Sequence, residues 1–298
     1  MKNKTILIGA LGIALVYVGL RSAQSNEAPH PIEVRPSTVK PFVIPERLDF
    51  AGESLPLNVM EVKEKLDREI LVNTYWQSNS LLMLKRSSKY FPTIEPILSK
   101  NGIPNDFKYL ALIESGLQNI VSPAGAAGYW QIMKSTGREN GLEINNEIDE
   151  RYHIEKSTQV ACDYLNEAYG RFGNWTLAAA SYNMGMAGTA RRLAEQGVES
   201  YYDLLLNSET ARYVYRIAAV KHIHENLEEF GYVYHQDQGY SFPKMDTISV
   251  NTAVTDWISW AKAQGITYNT LRIYNPWIQS QQLSNSTNKA YHIWVPSK

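Results

Sequence analysis

Across 298 residues, 44% are hydrophobic and 20% charged, which excludes wholesale disorder and suits one large domain or two smaller ones. With 29 basic against 30 acidic side chains the formal charge is −1, so no basic excess argues for a nucleic-acid partner. One cysteine, Cys162, excludes an intramolecular disulfide and a Cys-rich zinc site, while 19 Tyr and 7 Trp supply rings with polar edges.

In chain order, Lys2 and Lys4 precede an apolar run from Ile6 to Leu20, closed by Arg21. A charged start before about 15 apolar residues is the pattern of an export signal, and it is short for a spanning helix. Ser22-Ala23 offers a cleavage point that Arg21 fits poorly, so residues 1–23 are expected to be either a signal peptide or an uncleaved membrane anchor. Either way the protein is expected outside the cytoplasm, in the periplasm or cell envelope. Residues 24–57 carry Pro29, Pro31, Pro36, Pro41, Pro45 and Pro56, and read as a Pro-rich linker.

Helical spacing begins after Asn58, with Val59, Val62, Leu66 and Ile70 on one stripe. The pattern continues through Leu84 and is expected to end at Tyr90-Phe91-Pro92. A short helix should span 94–100, stopped at Asn101-Gly102, and Pro104 should open another over 106–117. Further helices are predicted over 156–172, 176–184, 188–196, 201–206 and 210–230. Strand signals appear at 247–250 and 291–295, with helical pieces at 256–264 and 270–274 between them. The expected fold is mainly α: a helical body over 58–236, then a small β-α-α-β module over 245–298.

Several constellations fail. His222 and His224 are two apart on a helix and face different ways. His224-Glu225 lacks the second histidine of a zincin, since position 228 is Glu228. Gly125-Ala126-Ala127-Gly128 lacks the lysine and hydroxyl of a P-loop. No cofactor and no metal are expected.

One constellation holds. Leu110-Ala111-Leu112-Ile113-Glu114-Ser115 places a carboxylate at the end of a very apolar helix, where desolvation should raise its pKa as a general acid requires. Ser122-Pro123-Ala124-Gly125-Ala126-Ala127-Gly128 then lets backbone approach a ligand before Tyr129-Trp130-Gln131. A small-residue helix, Ala178-Ala179-Ala180-Ser181, delivers Tyr182 and Asn183, and Glu209-Thr210-Ala211-Arg212-Tyr213 adds another tyrosine.

These segments, in this order, resemble the lytic transglycosylases with a soluble-lytic-transglycosylase (SLT) domain, most of all the membrane-bound type D branch. The resemblance covers roughly residues 42–232, with Tyr129-Trp130 standing where many relatives have Leu-Met or Leu-Trp. It implies a goose-lysozyme-like catalytic domain and peptidoglycan glycan strands as substrate. It also implies Glu114 as the single catalytic acid. Ser115 would orient Glu114 or touch an acetamido group, Gln131, Tyr182 and Asn183 would line the cleft, and Tyr213 would hydrogen-bond near Glu114.

An ordinary glycosidase uses two carboxylates. No second catalytic Asp or Glu is expected within the motif segments; Asp149, Glu150 and Asp163 are further acids along the chain, and Asp149-Glu150-Arg151 reads as a turn with local ion pairing. The resemblance therefore implies cleavage without water between MurNAc and GlcNAc, leaving a 1,6-anhydro-MurNAc end. Hydrolysis of the goose-lysozyme kind, or a non-catalytic peptidoglycan-binding scaffold, are the alternatives. The module over 245–298 resembles a degenerate LysM domain, with Asn275-Pro276 in place but the usual Gly-Asp-Thr opening absent.

Overall fold

The computed structural model describes residues 39–297. The expected signal or anchor over 1–23 and the first part of the expected linker lie outside these residues. Among the described residues, no helix is long and apolar enough to cross a membrane.

Two long helices open the body: α1 (Met60–Tyr75) buries Val62, Leu66 and Ile70, and α2 (Gln77–Lys100) buries Met83, Leu84, Ile94 and Leu98. The expected break at Pro92 does not occur, and α2 runs through both Pro92 and Pro96. Each proline removes a backbone donor from the helix interior. Their rings stand on the solvent side, however, while Ile94 and Leu98 keep the opposite face in the core, so packing holds the helix together. A 3-10 turn, Asn105–Phe107, leads into α3 (Lys108–Ser115), followed by the short α4 (Lys134–Glu139), which the sequence pattern did not suggest. The helical pair α5 (Ile154–Phe172) and α6 (Trp175–Met184) packs together, and α7 (Met186–Gln196) follows α6. Residues 201–206, expected as a helix, form only a 3-10 turn, Tyr201–Asp203.

The centre of the body is α8 (Thr210–Glu225), which packs on α1, α3 and α6. Tyr213, Val214, Ile217, Ala218 and Val220 are all buried there. The run Ala178, Ala179, Ala180 on α6 is wholly buried, since side chains this small allow close helix approach.

The structure corrects the expected linker boundary. Residues from Phe42 pack on the body, and β1 (Asp49–Phe50) pairs antiparallel with β2 (Glu53–Ser54). Phe50 is fully buried and meets Phe107 edge-on at 5.1 Å. Strands of two residues carry no readable alternation, which hid them. Lys221 ties this hairpin to the body, donating to Asp49 Oδ1 at 2.9 Å and Asp106 Oδ2 at 2.7 Å. Glu53 in turn accepts from the N–H groups of Trp175 and Thr176, so a carboxylate sits at the positive end of α6.

The C-terminal module has the expected order: β3 (Met245–Val250), α9 (Trp257–Ala263), α10 (Tyr268–Tyr274) and β4 (Tyr291–Pro296). The strands pair antiparallel with Ile248 opposite Ile293. Its core gathers Val250, Trp257, Leu271, Ile278 and Ile293, together with one residue of the helical body, Ile148. Residues from Pro41 onward thus form one compact unit.

Replacing Phe50 with Ala should cost about 3–5 kcal/mol, as for other buried aromatics. Denaturant unfolding of the full chain checks this; a change within about 0.5 kcal/mol, as expected of a linker residue, would contradict the packing.

Candidate active site

Glu114 owes its environment to how α3 stops. Gly116 adopts a left-handed φ of 60° and donates its N–H to Leu112 O at 2.8 Å, closing the last turn. Glycine takes that conformation without a Cβ penalty. The carboxyl group therefore stands at the negative end of a helix whose residues Tyr109 to Ile113 are all buried. Burial pushes the Glu114 carboxyl up from 4.5 to about 6; a hydrogen bond from Tyr213 and the charge of Arg216 oppose this, and the charge of Glu209 adds to it. The Tyr213 hydroxyl donates to Glu114 Oε1, and Arg216 Nη2 donates to Ile113 O at 3.0 Å. The two donors are three residues apart on α8, hence on one face.

A tight turn follows α3 in the chain and is tied to it by Ser115. Isolated bridges join Val121 to Ala127 and Ala127 to Ile132. Gln131 sits in this turn at φ 47°, and its side-chain Nε2 donates to Gly128 O at 2.8 Å and Ile120 O at 3.1 Å. The amide oxygen is what Gln131 has left to offer a ligand. Gly128, at φ 79°, has no room for a side chain, because a Cβ would lie 2.0 Å from Arg151 O. Trp130 is fully buried, with Nε1 donating to Thr158 Oγ1 at 2.8 Å.

Tyr182 and Asn183 come from the last turn of α6, whose start is capped by Asn174 accepting from Leu177 N–H. The Tyr182 hydroxyl donates to Trp130 O at 2.8 Å, tying α6 to the turn. Burial, then the Glu114 charge, raise its hydroxyl well above the usual tyrosine range. Asn183 accepts from Thr210 Oγ1 at 2.7 Å and donates to Glu209 Oε1 at 3.4 Å.

Of the expected site residues, Glu114 and Tyr213 are in direct contact and Tyr182 lies close enough to feel the Glu114 charge, while Asn183 bonds Glu209 and Thr210 and Gln131 bonds its own turn. Ser115 departs from the expected acetamido contact. It is only 3% exposed, and its hydroxyl donates to Tyr129 O at 2.8 Å, so it fixes the turn against α3. Two groups escaped the sequence reading. Against the expectation of no second acid within the motif segments, Glu209 stands near enough for its charge to raise Glu114, and Arg216 follows Tyr213 at helical spacing.

The other acids are engaged elsewhere. Asp149 pairs with Arg151 at 2.7 Å in the expected turn, Glu150 pairs with Lys156, and Asp163 accepts from Gln159 on the exposed face of α5.

The family model for the Transglycosylase SLT domain matches residues 92–205, and that for the soluble lytic transglycosylase C-terminal LysM-like domain matches residues 246–298. Membrane-bound lytic murein transglycosylase D of Escherichia coli K12 is 28% identical over 191 residues, covering 61% of this chain and 41% of that protein. Its counterpart in Escherichia coli O6:H1 matches to the same extent. The chain thus spans well under half the length of these curated relatives. Among solved structures, the 70 kDa soluble lytic transglycosylase Slt70 of Escherichia coli aligns with a TM-score of 0.41 at 20% identity, covering 55% of this chain and 31% of that one.

The raised Glu114 carboxyl has a stability consequence. Its folded value of about 6 exceeds the ordinary 4.5, so the folded state binds more protons between those pH values. Stability from this group is fully present below pH 4.5 and is lost as pH rises through 6. At pH 7 the charged carboxylate then costs about 2 kcal/mol. Glu114→Gln should raise stability at pH 7 by up to that amount and give no gain at pH 4, by denaturant unfolding at the two pH values. An equal effect at both would contradict the shift.

Proposed function

We propose that this chain, which carries an SLT transglycosylase domain followed by a LysM-like C-terminal domain, is a peptidoglycan lytic transglycosylase. It would cleave the β-1,4 bond between MurNAc and GlcNAc without water and leave 1,6-anhydro-MurNAc ends. The observation that carries this reading is Glu114 itself, a carboxyl that burial raises to about 6 and that accepts a hydrogen bond from one hydroxyl donor.

The chemistry follows from one group acting twice. Protonated Glu114 gives its proton to the glycosidic oxygen as the bond from C1 of MurNAc to that oxygen breaks, releasing the GlcNAc hydroxyl. The acetamido oxygen of the same MurNAc bonds to C1 and holds the positive charge. Glu114, now a carboxylate, takes the proton of the C6 hydroxyl as O6 attacks C1 and displaces the acetamido oxygen. The carboxyl ends protonated and no water is consumed. Tyr213, by donating to the carboxylate, stabilises the base form; burial favours the acid form. An acid and base poised near 6 serves both halves of the cycle.

Around it, the amide oxygen of Gln131, the Asn183 side chain and the Tyr182 ring would line the cleft, with Ser115 as a positioning residue. The catalytic body would extend from about residue 41 to 236, with the LysM-like module over 245–298 and the apolar segment over 1–23 exporting or anchoring the chain at the cell envelope. Glu209 favours one second reading. A further acid close enough to raise Glu114 could serve a hydrolytic cycle, as in goose-type lysozymes.

Glu114→Gln should lower release of muropeptides from sacculi by about 10²–10⁴-fold or more, while Asp163→Asn leaves it near wild type. Mass spectrometry of the wild-type products separates the readings: ends lighter by one water support the lyase, and reducing MurNAc ends support hydrolysis. Because the Tyr213 hydrogen bond lowers the Glu114 pKa, Tyr213→Phe should move the alkaline limb of the pH–rate profile upward from about 6. A limb that stays put or moves down would separate that limb from Glu114.

A further inference from the structure

The LysM-like module does more than stand beside the body. Ile148, in the loop between α4 and α5, is fully buried inside the module's own core. Around it, Asp149 N–H donates to Trp277 O at 2.9 Å and Gln279 N–H to Glu147 O at 2.7 Å. Glu147 also accepts from the Ser284 N–H and hydroxyl, both at 2.7 Å. Lys289 bridges Glu143 at 2.6 Å and Glu150 at 3.1 Å. The loop is therefore gripped at Glu143 and from Glu147 to Glu150.

From that loop one buried ion pair reaches the active-site turn. Both oxygens of Asp149 accept from Arg151, through Nε at 3.0 Å and Nη2 at 2.7 Å. That fixes the guanidinium plane and aims its remaining arm. Nη1 donates to Gly125 O at 2.9 Å and to Ile132 O at 3.2 Å, the two ends of the turn that holds Gln131. The same residue's carbonyl abuts Gly128. A forked, planar donor suits this task where a lysine would not.

We infer that the C-terminal module and the Asp149/Arg151 pair position the Gln131 turn for catalysis, so that loosening the module lowers turnover and not merely glycan retention. This rests on the functional reading above for its kinetic arm and on geometry alone for its structural arm. Displacements on the order of 1 Å near reacting groups cost up to about 10²-fold in rate.

The test uses the full chain with two sets of substitutions. Glu147→Ala with Lys289→Ala removes rim contacts that are partly or wholly exposed, so folding should survive; Arg151→Gln breaks the link directly. Expected in the rim variant are faster amide hydrogen exchange over residues 125–132 and a kcat on short soluble glycan oligomers lowered about threefold to thirtyfold. KM and sedimentation with insoluble peptidoglycan should stay within about twofold of wild type. Arg151→Gln, if folded, should exceed both effects. Unchanged exchange over 125–132, or wild-type kcat in an active background, overturns the inference. A wild-type enzyme that releases no muropeptides would instead defeat the functional reading, while the exchange arm still reports on positioning.

Discussion

A carboxyl group at the end of an apolar helix is expensive to ionise, and the rest of this structure is organised around that cost. The helix that carries Glu114 is short and buried, and it stops at the next turn through a left-handed glycine. The central helix α8 supplies the two groups that temper the burial, Tyr213 by a direct hydrogen bond and Arg216 by charge. Had Arg216 been brought into contact with the carboxylate, an opposite charge at that range would hold the group ionised. Instead its guanidinium spends a hydrogen bond on the Ile113 carbonyl, one residue away. The balance leaves an acid near 6.

Most other polar groups of the quoted motifs are committed to backbone. Ser115, Tyr182 and Arg151 all donate to carbonyls between Gly125 and Ile132, and Gln131 donates to its own turn. Trp130 anchors the same segment from its indole. A turn this short with three positive-φ positions, Gly125, Gly128 and Gln131, would not hold its shape unaided, since left-handed backbone is disfavoured for glutamine. Neighbouring elements over-determine it. The hairpin at Phe50 acts further out, seating α6 through Glu53 and so placing Tyr182.

Much of this was legible in the residues. The apolar stripe before Glu114 predicted a desolvated acid, and the β-α-α-β order of the tail and the small-residue packing of α6 are both present. What escaped did so for physical reasons. Pro92 reads as a breaker because local sequence does not show which side of a helix meets solvent. The β1 hairpin was too short for alternation to register. Ser115 looked available because hydroxyl chemistry is visible in sequence and burial is not. The pairing of Asp149 with Arg151 was readable as a local turn, but its reach to Gly125 and Ile132 is a tertiary fact, as is Ile148 entering the core of the LysM-like module.

The proton on Glu114 is the point on which the chemistry turns. Titration of its side-chain carboxyl carbon by ¹³C NMR, with Glu114→Gln identifying the resonance, reads that proton directly. A midpoint near 6 is the expected result. A midpoint at or below 4.5 would mean that burial is outweighed by Tyr213 and Arg216, leaving no neutral acid at working pH and contradicting the single-carboxyl mechanism.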